Sequence, residues 1–182
     1  MDAIEAWKTT DGNTCSIYYD EDCQCDNPRE WGNLGRIIVP ENCRYLKCEE
    51  DCPGLSWEDK EADLEYLREN YAYAFPLFIL DHSAVKFATG FINSPWGHWD
   101  CGQIGWIVID ENYLKQYAEK IDEKRALELI EGELETLTQW ANGEVYGYIL
   151  TDPDGNHVES CWSYYSIDDI KAEYPEIEEA QA

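Results

Sequence analysis

Acidic side chains outnumber basic ones three to one in this chain, 39 Asp and Glu against 13 Lys and Arg, for a formal charge of −26. A protein so charged repels nucleic acid and anionic membrane and attracts basic surfaces. Disordered acidic tails reach similar charge but carry few aromatic residues. This sequence instead holds 8 Trp and 13 Tyr among 182 residues, so the acid must be worn by a folded, aromatic-cored protein. The length suits a single domain over 1–182 with a real core. The charge favours a binding or blocking role over a catalytic one, and direct nucleic-acid binding is not expected. The most basic surfaces in a cell are those where Lys and Arg neutralise phosphates, and carboxylates can compete for them. Solubility alone is the plainer explanation of the acid.

The start, Met1-Asp2-Ala3-Ile4-Glu5-Ala6-Trp7, has no basic region followed by an apolar one, so no targeting segment is expected there. No apolar run approaches the ~18 residues of a membrane span. A cytoplasmic location follows as an expectation, with the 8 cysteines in a reducing compartment where disulfides are rare.

Residues 14–20, 34–39, 76–81, 84–91 and 103–109 read as strands, with a turn at His82-Ser83 and Pro40 ending the second. Residues 145–151 and 156–162 read as a hairpin around Asp152-Pro153-Asp154-Gly155, which has turn chemistry at every position. Ser56 is placed to cap a helix running to about Asn70, and Asp110 reads as a second N-cap. The clearest helix follows Asp122, with Leu127, Ile130, Leu134, Leu137 and Ala141 at helical spacing and Gly143 beyond its end. Residues 41–57 form a cysteine-rich irregular insertion. Residues 167–182 are an acidic C-terminal segment, a short helix frayed at its end. Mixed strands and helices without βαβ alternation predict an α+β fold, a mostly antiparallel sheet packed with two or three helices.

Cys43, Cys48 and Cys52, with Cys23 and Cys25 upstream, supply enough thiols for a tetrahedral structural zinc site. They lack the paired C-x2-C knuckles of a strong zinc motif, so free thiols and disulfides stay open as alternatives. Cys101 and Cys161 lie in or beside predicted core elements and are expected to be buried. Asp81-His82-Ser83 offers an acid, a base and a nucleophile, and His98 with Asp100 or His82 is a possible metal pair. A metal-dependent hydrolase using Asp81, His82 and His98 is therefore one alternative. Neighbours in sequence rarely face one another as a triad requires, and the competing reading is a turn bonding its own backbone. The phosphate-binding loop, the dinucleotide glycine fingerprint, H-E-x-x-H and G-x-S-x-G are all missing.

The acid is uneven. Residues 41–69 hold ten acids against four bases, and residues 144–182 hold ten against Lys171 alone. Glu128, Glu131 and Glu135 share one helix stripe, and with Asp168 and Asp169 they are the candidate partner-binding residues. A solvated helix face is the competing reading of the stripe.

Several segments form a recognisable set. They are Asn27-Pro28-Arg29-Glu30-Trp31-Gly32-Asn33-Leu34-Gly35, Leu80-Asp81-His82-Ser83, and Pro95-Trp96 followed by Asp100-Cys101-Gly102-Gln103-Ile104-Gly105. Near the end come Gly143-Glu144-Val145-Tyr146-Gly147-Tyr148, and Asp154-Gly155 leading to Ser160-Cys161-Trp162. Over about residues 15–165 this set resembles a family of small acidic proteins carried by phages and prophages that includes a type II-A anti-CRISPR inhibitor of Cas9, to which the chain is also similar. The stretch 43–52 departs from that pattern. The resemblance implies a phage-encoded, non-enzymatic DNA mimic acting in the host bacterial cytoplasm. Its partner would be Cas9 or the Cas9–guide RNA complex. It implies no catalytic residues, and it leaves a phage regulatory binding module with another target as an alternative. Cas9 offers suitable basic surfaces, holding its heteroduplex in a positively charged channel and reading the adjacent motif with arginines.

Overall fold

Short strands build two four-stranded antiparallel sheets in place of the one expected. The computed structural model describes residues 2–23, 27–42, 44–93, 100–116 and 120–177. The chain divides into two compact units, Met1–Asn27 with Gln139–Ala182, and Pro28–Thr138. The α+β class stands, with every strand pair antiparallel.

In the first unit the sheet order is β1-β2-β7-β8, with β1 at Glu5–Lys8, β2 at Thr14–Tyr19, β7 at Tyr146–Thr151 and β8 at His157–Tyr164. Alternation sends Trp7, Cys15, Ile17, Tyr148 and Leu150 into one core, which Ile170 closes from the helix α4, Ile167–Glu173. Each fully buried aliphatic of this kind contributes about 1.5–3 kcal/mol. The Trp7 indole donates to the Tyr174 carbonyl at 2.7 Å, which satisfies its polar edge inside the core. The chain after α4 returns to β1, with the Ile177 amide donating to the Lys8 carbonyl at 2.8 Å. At the hairpin tip, Asp152 accepts the Asp154 and Asn156 amides and Gly155 takes φ +86°, a conformation glycine adopts without cost.

In the second unit the order is β3-β6-β4-β5, with β3 at Arg36–Ile38, β4 at Tyr73–Asp81, β5 at Val85–Ala88 and β6 at Cys101–Ile109. Ile38, Leu67, Ala74, Trp106 and Val108 centre its core. A side chain at Gly105 would meet the Ile38 backbone carbonyl, so the strand interior needs glycine there. The helix α1, Lys60–Asn70, starts three residues later than the Ser56 cap predicts. Its true N-cap is Asp59, which accepts the Glu61 and Ala62 amides. Ser56 is instead held by Asp63. Asp110 caps the one-turn α2, Glu111–Leu114, as expected.

The long helix α3 covers Glu123–Asn142 and buries Ala126, Ile130, Leu134 and Leu137 along one stripe. Asp122 accepts the Arg125 amide at its start, and Gly143 follows its end at φ +71°. The cysteine-rich insertion is irregular, but Leu46 and Leu55 anchor it in the interior. Among the described residues no helix is long and apolar enough to cross a membrane.

Candidate interaction surface

The two units share the charge unequally. The first carries seventeen acids against Lys8 and Lys171, while the second carries twenty-two acids against eleven bases. Both lysines of the first unit are engaged. Lys171 pairs with Glu5 at 2.7 Å and lies over the Trp7 ring at 5.6 Å, and Lys8 donates to Thr14. Asp168 and Asp169 are exposed in the first turn of α4, where carboxylates complement the helix dipole. Among the described residues neither forms a salt bridge. Asp154 is exposed at the hairpin tip, and Asn156 beside Asp152 holds that carboxyl below its ordinary range.

Aromatic surface accompanies this acid. β8 forms one edge of its sheet and is exposed along nearly its whole length. Trp162 lies across Gly147 of β7, where any Cβ would strike the indole, and its ring stands 6.5 Å from that of Tyr18. The next residue, Ser163, has φ +67°, which costs a non-glycine residue about 1–3 kcal/mol. The Ser163 amide donates to Asp20 at 3.2 Å, and Asp20 is 9% exposed. A buried carboxylate thus fixes the strained strand residue that follows a surface tryptophan. Behind it, the Tyr148 and Tyr174 hydroxyls share a hydrogen bond at 2.8 Å, and the pair passes its remaining proton to Glu159, which lies 3.3 and 3.2 Å from the two oxygens.

The predicted stripe on α3 is solvent-facing, with Glu128, Glu131 and Glu135 all exposed. Glu128 is partly neutralised by Lys124 and Arg125, and Glu131 accepts from Thr89. The stripe and the Asp168–Asp169 pair belong to different units.

Sequence spacing missed Glu133. Arg29 donates twice to Glu49, at 2.9 and 2.8 Å, once to Glu133 at 3.1 Å, and once to the Gly35 carbonyl. Glu133 also accepts the Leu34 and Gly35 amides, and Glu49 accepts that of Ile37. The Arg29 side chain is only 6% exposed. Burial alone would lower its pKa, but Glu49 and Glu133 outweigh burial and raise it. Burial pushes the Glu133 carboxyl up, against the Leu34 amide and Arg29. This planar fork, satisfied on every side, locks the segment Pro28–Gly35 to the insertion and α3. It is a structural clamp.

Of the candidate metal ligands, Cys25 and Cys43 lie outside the described residues, as does His98. Cys23 is buried, Cys48 is exposed and donates to the Glu50 carbonyl, and Cys52 shares a hydrogen bond with Tyr71. Among the described residues no three His, Cys, Asp or Glu side chains gather to hold a metal, and Cys15, Cys48, Cys52, Cys101 and Cys161 are free thiols. Cys101 is buried as expected. Cys161 is exposed, because β8 is an edge strand and not a core one. Asp81-His82-Ser83 forms the tight link from β4 to β5, with the His82 amide donating to the Ala84 carbonyl. The His82 ring lies 4.0 Å from the Asp100 carboxylate, with both side chains substantially exposed.

No family model, no curated protein and no solved structure matches this chain.

Proposed function

We propose that the protein is a phage-encoded inhibitor that acts by binding a basic, nucleic-acid-handling surface, with Cas9 or its guide-RNA complex as the target. One observation carries this reading. The unit with seventeen acids and two engaged lysines also presents an exposed tryptophan on a rigid platform. Carboxylates at such density imitate a phosphate backbone and compete for the lysines and arginines that neutralise it. Trp162 offers a face on which an arginine can stack, worth about 0.5–2 kcal/mol. Opposed charge steers the encounter and weakens with salt. The site of action is the host cytoplasm, where Cas9 works.

The test is capture of Cas9–guide RNA by the purified protein at about 50 mM and about 200 mM salt, alongside a target-cleavage assay. Capture that is stronger at low salt, with cleavage lost, supports the reading. A folded protein that captures nothing at low salt and leaves cleavage intact refutes it.

A further inference from the structure

Two local rules are broken at one place in the second unit. Trp57 has φ +66°, a conformation that bulky side chains avoid. The buried Asp63 enforces it, accepting the Trp57 amide at 2.9 Å and the Ser56 amide and hydroxyl at 2.7 and 3.0 Å. Asp63 is 2% exposed, and both of its carboxylate oxygens accept hydrogen bonds from this turn. Three residues on, Lys60 is the first residue of α1, where a cation opposes the helix dipole. Trp57 also packs against the core of the second unit, but neither the positive φ nor the lysine at the helix start follows from local preference. Departures from local preference gather where function requires them.

Both residues line the same cavity, about 430 Å³ in volume. Its walls are mostly apolar, with Val39, Ile79 and Ile104 beside the rings of Tyr45 and Trp57. Arg44 reaches it with its guanidinium 5.3 Å from the Tyr45 ring centre. Glu41 and Asp81 line it as well. Two cations, two carboxylates and aromatic walls match a ligand with a flat apolar body and one charge of each sign. A net anion would enter against the field of a protein of charge −26, and a net cation would meet Arg44 and Lys60. Pockets of this size, apolar with a few convergent polar groups, suit small molecules.

We propose that this cavity binds a small aromatic zwitterion, with Trp57 as its stacking wall, Lys60 for the carboxylate and Asp81 for the ammonium. The proposal is independent of the partner on the first unit. The test titrates the full chain with L-tryptophan, tryptamine, indole-3-acetate and indole by calorimetry. L-Tryptophan should bind about tenfold more tightly than tryptamine or indole-3-acetate, each lacking one charged contact, and about a hundredfold more tightly than indole, which lacks both. Lys60→Ala should weaken L-tryptophan about tenfold while Tm stays level or rises, because a misplaced cation is removed from the helix start. Asp81→Asn should weaken it comparably, and Trp57→Gly should abolish it. No binding of L-tryptophan, equal binding of all four probes, or unchanged affinity in a folded Lys60→Ala protein overturns the proposal.

Discussion

Both non-glycine residues with positive φ among the described residues, Trp57 and Ser163, donate their amides to buried aspartates, Asp63 and Asp20. Strain of this kind survives only where its surroundings over-determine it. The Arg29 clamp is over-determined in the same manner. Arg29→Ala would strand Glu49 and Glu133, so urea unfolding should show a loss of about 3–5 kcal/mol. Arg29→Lys keeps the charge without the fork and should recover only part of it. The thiols separate by environment. Burial pushes Cys15 up to about 11 from an ordinary 9.0, while Cys48 and Cys161 are exposed. Alkylation of the native protein near pH 8 should modify Cys48 and Cys161 and spare Cys15, as peptide mapping would show.

Among the elements, those with strong periodicity or turn chemistry are legible in the sequence. The stripe of α3, the hairpin around Asp152–Gly155 and the strands β2, β4 and β6 fall close to where the residues predict. β1 escaped because only Trp7 of its four residues is buried, too little for an alternation to register. The start of α1 misled because Ser56 has the right chemistry for a cap, yet Asp63 claims it through tertiary structure. The clamp was not legible, since its residues lie 20 and 104 positions apart. The exposed acids were legible as a class, but not which unit each belongs to. The platform under Trp162 yields a prediction at this scale. Gly147→Ala should drive the indole off β7, changing tryptophan fluorescence and costing about 1–3 kcal/mol, as overpacking does.

At the scale of the whole molecule, charge and buried phenols set the conditions under which the fold persists. Burial raises Tyr71, Tyr148 and Tyr164 above the ordinary tyrosine range, in the same direction as Cys15. Groups raised on folding contribute fully below their unfolded values and lose that contribution as pH climbs from there through their folded ones. Tm should therefore hold to about pH 9 and then fall steadily towards pH 11. Self-repulsion at −26 acts at neutral pH, so salt that screens it should raise Tm. The same salt weakens the proposed partner complex, which separates fold from function experimentally. The most direct measurement is the affinity for Cas9–guide RNA across about 50–200 mM salt, for the native chain, for a triple Asp154→Asn, Asp168→Asn, Asp169→Asn variant, and for a triple Glu128→Gln, Glu131→Gln, Glu135→Gln variant. Affinity should fall steeply with salt and drop more in the first variant than in the second. No binding at low salt, or binding indifferent to both salt and the first-unit carboxylates, would contradict the account.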